Sequence, residues 1–121
     1  MEYESLTLEV SAKTAGYEVV KPPILRGRTG VDHKFSFVAS SSGVNYAFDF
    51  YDTVDEIEVL KTYIKEFDTG AVVGIVCTGK GATDSAISLA QEYGMTVVSP
   101  EGLTSMFKMT NVAKSPRALT N

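Results

Sequence analysis

Hydrophobic and polar residues follow two different spacings along this chain, and together they predict alternating helices and strands. Apolar residues recur at steps of three or four over residues 2–15 and again in the segment that Gly70 closes, which is typical of helices. Residues 71–77 are apolar at successive positions, as in a central strand covered by helices on both faces. Shorter runs predict the remaining elements, namely strands over 17–20, 31–39, 44–51 and 96–99 and helices over 83–93 and 101–109.

Turn residues delimit these elements. Gly16 ends the first helix, and residues 24–30 are predicted to be a loop. Small polar residues and Gly43 join the strands 31–39 and 44–51, which favours an antiparallel hairpin. The predicted order is therefore helix, strand, hairpin, helix, strand, helix, strand, helix, which is an α/β fold with a mixed sheet.

The helix that ends at Gly70 has the clearest pattern, and Asp52 or Thr53 is its predicted N-cap. Its apolar positions predict an amphipathic helix; they are Val54, Ile57, Leu60, Ile64 and Phe67. Its acidic residues predict a solvated face with local ion pairs; they are Asp55, Glu56, Glu58, Glu66 and Asp68. Such a face repels DNA, so we expect it to point away from any nucleic acid.

The length of 121 residues, with 44% hydrophobic residues, fits one compact domain. We place that domain at residues 1–109 and predict a flexible polar tail over 110–121. The longest apolar run is far shorter than the roughly 18 to 20 residues that cross a bilayer, so no membrane segment is expected. Cys77 is the single cysteine and no signal segment opens the chain, which predicts a reduced, cytoplasmic protein.

The formal net charge of −4 excludes a protein that coats nucleic acid by bulk electrostatics. A local basic cluster remains, because Lys21, Arg26, Arg28 and Lys34 surround the glycine-containing loop. This loop either holds phosphates beside Asp32 or is an ordinary solvated loop.

Asp49 is unusual because it stands inside the otherwise apolar run 46–51. A buried carboxylate must be paired or neutralised, so this residue is a candidate site residue. Asp32 has two interpretations, a turn aspartate bonded to local amides or a metal ligand. His33 beside it is interpreted as an outward-facing strand residue, with assistance to a metal or phosphate as the alternative.

Several segments in this order resemble one known family. They are Ala15-Gly16-Tyr17-Glu18-Val19, residues 27–32, Phe48-Asp49-Phe50, residues 68–71 leading into 74–78, the helix over 85–94 and the strand over 95–100. The sequence resembles the restriction-endonuclease-like, or PD-(D/E)XK, nucleases over roughly residues 2–107, and is most similar to Mrr-type restriction enzymes and archaeal Holliday junction resolvases. The resemblance implies a three-layer α/β/α fold with a mixed sheet.

In that family an aspartate at the start of the second strand and an acidic-x-lysine triplet on the third hold a divalent cation and activate water. The resemblance matches Asp32 and Asp49 to the two acids. Residues two apart on a strand share a face, so the triplet's side chains meet the same metal-bound phosphate. Here the lysine position is Tyr51, which carries no positive charge near neutral pH. Some family members take this lysine from the following helix, where Lys61 and Lys65 lie.

The resemblance thus implies two alternative functions. The chain is either a Mg²⁺- or Mn²⁺-dependent DNA endonuclease, with metal on Asp32 and Asp49 and phosphate contacts from Arg26, Arg28 and Lys34, or an inactive descendant of one. The alternative from another class is a non-catalytic regulatory module that binds a protein partner, for example a transcription factor. The family also implies a homodimer, because duplexes and junctions have two strands to cut.

Overall fold

The computed structural model describes residues 2–113, and side chains over 6–109. Within this span the chain forms four helices and seven strands. In order they are α1 (Glu2–Thr14), β1 (Glu18–Val19), β2 (Ile24–Arg26), β3 (Asp32–Lys34), β4 (Phe37–Ser41), β5 (Val44–Val54), α2 (Glu56–Thr69), β6 (Val72–Ala82), α3 (Asp84–Glu92), β7 (Thr96–Val98) and α4 (Pro100–Ala113).

Five strands form the main sheet in the order β1-β4-β5-β6-β7. The β1–β4 and β4–β5 pairs are antiparallel, whereas β5–β6 and β6–β7 are parallel. The sheet is therefore mixed, as the sequence predicts, with β5 at its centre.

Helices cover both faces of this sheet. On one face, Leu8 of α1 and Leu103 of α4 share a core with Val76 of β6. On the other face, Val59 of α2 packs in a core with Ile75 of β6, together with α3. The three-layer α/β/α arrangement is thus confirmed, and alternate residues of each central strand face opposite helical layers.

The segment before β4 differs from the prediction. Residues 24–26 were expected in a loop but form β2, which pairs with β3 as a separate two-stranded sheet. The predicted strand 31–39 is consequently divided into β3 and β4. The break lies at Phe35, whose side chain is buried and whose N–H donates to the carbonyl of Pro23 rather than to the main sheet. The β4–β5 hairpin itself is confirmed, with Ser42 and Gly43 at positive φ in its turn.

Helix α2 begins two or three residues later than predicted. Asp55 is the N-cap instead of Asp52 or Thr53, because its carboxylate accepts from the Glu56 N–H while Glu58 accepts from the Asp55 N–H. Val54 is the last residue of β5, and Gly70 ends α2 at φ 70° as expected.

The face of α2 that packs against the sheet also differs from the one that its apolar pattern predicts. An amphipathic helix normally buries its apolar stripe. Here the fully buried residues are Val59 and Thr62, whereas the apolar stripe is exposed; its members are Ile57, Leu60, Ile64 and Phe67.

At the C-terminal end, Thr83, the first residue of the predicted helix 83–93, is the N-cap of α3, and α4 continues from Pro100 to Ala113, beyond the predicted end at residue 109. Residues 114–121 of the predicted tail lie outside the described residues. None of the helices in the described part of the chain has the length and hydrophobicity needed to span a bilayer.

Candidate functional site on the central strand

Asp49 lies on the central strand of the main sheet and is buried. It sits on β5, whose neighbours Phe48 and Phe50 point to the opposite face and join the core beneath α1 and α4. Strand alternation therefore turns the Asp49 carboxylate toward α2. Asp49 is only 5% exposed, so the charge of its carboxylate requires partners inside the protein.

Two side chains of α2 supply those partners. The Lys65 Nζ lies 2.9 Å from Oδ1 and 2.8 Å from Oδ2 of Asp49, and the Thr62 hydroxyl donates to Oδ2 at 3.0 Å. Thr62 and Lys65 are three residues apart, so they share one face of the helix. The sequence-based expectation that Asp49 is paired or neutralised is met by a lysine from the next helix.

The Lys65 ammonium also holds the segment between the two sheets. It donates to the backbone carbonyl of Lys34 at 2.5 Å and lies 4.5 Å from the centroid of the Phe35 ring. Its three N–H donors therefore have three acceptor atoms. Lys61, the other lysine proposed from the sequence, is exposed one turn earlier.

Tyr51 is the residue that the sequence resemblance matches to the family's lysine. It is two residues beyond Asp49 on the same face of β5, and its hydroxyl lies 3.2 Å from the Thr62 Oγ1. Burial raises the pKa of the Tyr51 phenol, and the nearby Asp49 carboxylate raises it further, although the Thr62 hydrogen bond opposes this. The site consequently combines one carboxylate, one ammonium and a neutral phenol.

Asp32 lies elsewhere. It belongs to β3 in the small sheet, its side chain is 61% exposed, and it pairs weakly with Arg26 at 3.9 Å. Ser36 directly precedes the strand that pairs with β5: its N–H donates to the Phe48 carbonyl, and its Oγ accepts from the Phe50 N–H. Asp32 and Asp49 therefore lie in different sheets, and a metal role for Asp32 stays a prediction.

The donors around Asp49 do not fit a divalent cation. Mg²⁺ requires several oxygen ligands, usually including one or two carboxylates besides water. Over residues 6–109, no three His, Cys, Asp or Glu side chains are grouped so that they could hold a metal ion. Both Asp49 oxygens already accept hydrogen bonds, and the Lys65 charge neutralises the carboxylate.

A second polar cluster, which the sequence did not indicate, joins the small sheet to the end of α2. Asp68 Oδ2 lies 2.7 Å from the His33 Nε2 and accepts the Thr29 hydroxyl at 2.7 Å, while Oδ1 accepts the Thr29 N–H at 3.1 Å. These hydrogen bonds, first from Thr29 and then from His33, lower the pKa of Asp68 to about 2. His33 is 13% exposed, so it is not the outward-facing residue that we expected. Its partner lies 35 residues away, and strand alternation alone gives no signal for it.

Of the predicted phosphate contacts, Arg26 lies on β2, Lys34 on β3 and Arg28 in the turn between these strands, and all three are exposed. Arg28 is turned toward α2, where its Nη2 donates to the Phe67 carbonyl at 2.7 Å and its guanidinium lies 5.6 Å from the Phe67 ring centroid. Arg26 is near Asp32, and the Lys34 backbone carbonyl binds Lys65. Lys34 thus connects this basic surface to the Asp49 site.

Comparison with known proteins bears on the fold. No protein-family model matches the sequence, and no curated protein matches it. Among solved structures, the chain is similar to a protein of unknown function, AF1548, with a TM-score of 0.62 and 17% identity over 78% of this chain and 56% of that one. It is also similar to a repair endonuclease from Pyrococcus abyssi, with a TM-score of 0.54 and 14% identity over 82% of this chain and 46% of that one.

These similarities, together with the topology, establish the fold. The chain has the restriction-endonuclease-like fold, as the sequence resemblance predicts. It spans about half the length of the solved structures that it matches.

Proposed function

We propose that this chain is a nuclease-fold domain that binds DNA without cutting it. The observation that carries the proposal is the state of Asp49, whose carboxylate is neutralised by Lys65 and bonded to Thr62. A metal-dependent nuclease needs that carboxylate for a cation that activates water and stabilises the charge on phosphate.

The basic surface of the small sheet supports contact with DNA. Arg26 and Lys34 are exposed on neighbouring strands, and Lys34 adjoins the Lys65 ammonium through its carbonyl. Phosphate contacts from such side chains give binding that weakens as salt rises, because bound counterions are released. The acidic N-terminal turn of α2 repels a duplex, so the DNA lies on the side of the small sheet.

The second candidate is a metal-dependent endonuclease of the Mrr or resolvase type. It is favoured by Lys65, which meets the strand acid from the following helix as some family members require. In such an enzyme Asp49 and Asp32 would hold the Mg²⁺ or Mn²⁺ that activates water, and Lys65 would stabilise phosphate; Asp32 and Asp49 lie in different sheets here, which counts against this candidate.

DNA binding tests the first proposal. Fluorescence anisotropy with labelled duplex, single-strand and four-way junction DNA, at low and physiological salt, should show salt-sensitive binding. The Arg26→Gln, Lys34→Gln variant should bind more weakly and lower the salt slope by about two, because each lost phosphate contact lowers it by about one. Lys80→Gln, which removes an exposed lysine from β6, is the matched control. Absence of binding to all three DNAs at low salt would overturn the proposal in favour of a protein-binding module.

Cleavage assays separate the two candidates. We expect no cleavage of these DNAs at millimolar Mg²⁺ or Mn²⁺, and no Mn²⁺-induced broadening of amide signals centred on Asp49. Cleavage that is abolished in both Asp49→Asn and Lys65→Met would replace the first proposal with the second.

A further inference from the structure

Helix α2 presents a continuous apolar stripe to solvent. Val31, which immediately precedes β3 of the small sheet, extends this stripe. The five side chains are between 42% and 67% exposed; they are Val31, Ile57, Leu60, Ile64 and Phe67. We name this surface the α2 face. We propose that a second copy of this chain docks on the α2 face, with the two α2 helices antiparallel about a two-fold axis. This inference does not depend on the proposed DNA binding.

The spacing of the stripe points to a helix as the occupant. Ile57, Leu60, Ile64 and Phe67 are separated by steps of three, four and three, which are the a and d positions of a heptad repeat. Such a seam packs against another helix that offers the same pattern. In a two-fold dimer each subunit uses the same surface, so α2 of a second copy supplies that helix.

The two halves of the α2 face complement each other. At the C-terminal half, Val31, Tyr63, Ile64 and Phe67 line an apolar groove of about 550 Å³. At the N-terminal half, Ile57 projects with 60% of its surface exposed. An antiparallel arrangement places Ile57 of each copy at the groove of the other, whereas a parallel arrangement opposes groove to groove.

Charge agrees with this orientation. The acidic first turn of α2 contains Glu56 and Glu58, and the Arg28 guanidinium lies over Phe67 at the other end. Antiparallel helices bring the acidic end of one copy to the Arg28 end of the other. Opposite charges then meet at both ends of the interface.

The exposed area is sufficient for a dimer. With fully accessible side chains of this size presenting on the order of 150–200 Å² each, the α2 face offers roughly 500 Å² of apolar surface. A standard interface buries about 800 Å² per partner, and in homodimers about 65% of that area is apolar. The apolar area that each partner buries is therefore also roughly 500 Å². A patch of this size is at the upper end of what monomers expose.

The oligomeric state of the full chain tests the proposal. Light scattering during size exclusion should give a mass twice the 13.0 kDa of one chain. Ile64→Asp should give the mass of one chain while keeping the circular dichroism spectrum, because Ile64 is 62% exposed and contributes little to the core. Ile87→Asp, at a 41% exposed position on α3, is the matched control and should remain dimeric. A monomeric wild type, or a dimer that Ile64→Asp leaves intact, would overturn the proposal.

Disulfide trapping tests the orientation in a Cys77→Ser background. Ile57→Cys and Phe67→Cys are ten residues apart on one helix, about 15 Å, which is too far for an internal disulfide. Mixing the two single variants under oxidising conditions should give a covalent dimer, whereas each variant alone should not. Cross-linking within the separate samples would show a parallel pair, and no cross-linking anywhere would show that the α2 face is not the interface; both results contradict the proposal.

Discussion

The Lys65 ammonium lies 2.8 Å from the Asp49 carboxylate and connects the helix α2 to the central strand β5. The two side chains are 19% and 7% exposed, so both charges are largely removed from water. A pair of this kind is costly to break from one side, because the remaining charge stays buried without a partner.

Lys65→Met leaves the Asp49 carboxylate buried without a partner and is therefore expected to lower the free energy of unfolding by about 3 kcal/mol. Asp49→Asn should lower it by less, because the ammonium that remains is on the longer and more exposed side chain of Lys65 and can reach water. Urea unfolding of both single variants and the double variant measures the coupling. The double variant should be more stable than the sum of the single losses predicts. Additive losses would show that the two groups do not stabilise each other.

Thr62 is expected to matter for its hydroxyl rather than its size. It donates to Asp49 and lies within hydrogen-bond distance of Tyr51, so Thr62→Val should cost about 1–3 kcal/mol despite equal volume. Thr62→Ser keeps the hydroxyl and should recover part of this loss. Thermal unfolding of the two variants makes the comparison, and a Val variant as stable as wild type would exclude a role for the hydroxyl.

The contact that Asp68 makes between α2 and the small sheet is expected to weaken at low pH. Its pKa is lowered to about 2, mainly by Thr29 and then by His33, so its folded value lies below its ordinary value of 3.8. A lowered carboxyl pKa contributes stability above the unfolded pKa, and that contribution is lost as the pH falls from about 4 to about 2. Denaturant unfolding from pH 6 to pH 2 should show this decline in wild type and a smaller one in Asp68→Asn. Identical pH profiles would contradict the prediction.

The hydrogen bonds around Asp68 are predicted to require a glycine at position 27, because a side chain there would clash with the Asp68 carboxylate. A Cβ at this position would stand 1.8 Å from Oδ2 of the Asp68 carboxylate, and three hydrogen bonds hold that carboxylate in place, two at Oδ2 and one at Oδ1. Gly27→Ala should therefore destabilise the protein and disturb the His33 ring signals in NMR spectra. In an Asp68→Ala background, Gly27→Ala should cause little further loss of stability. A loss as large as in the wild-type background would show that the new Cβ clashes with a group other than Asp68.

The sequence was sufficient for the features that depend on local chemistry. The turn at Ser42 and Gly43, the end of α2 at Gly70 and the cap of α3 at Thr83 all follow from residues that favour those conformations. The need of Asp49 for a partner also followed from its apolar neighbours. The resemblance offered Lys61 and Lys65 as alternatives for the family's lysine, and only tertiary packing determines that Lys65 is the one that meets Asp49.

The failures have the same physical origin. Periodicity identifies the apolar stripe of α2 but does not state whether the sheet or another molecule covers it. Likewise, residues 31–39 have the composition of one strand, and only the contact of Phe35 with Pro23 and of Lys34 with Lys65 divides it. That division places Asp32 on β3 of the small sheet rather than on β4, the strand that pairs with β5.

The brevity of β1 and β7 limits how copies of this molecule can associate. These outer strands of the main sheet have two and three residues, whereas the inner strands β5 and β6 have eleven each. Short outer strands offer few unpaired backbone groups, so they give an added strand little to bond. Continuous sheets across several molecules are thereby disfavoured, which protects this sheet from fibre-like aggregation even though its centre is rich in valine and phenylalanine.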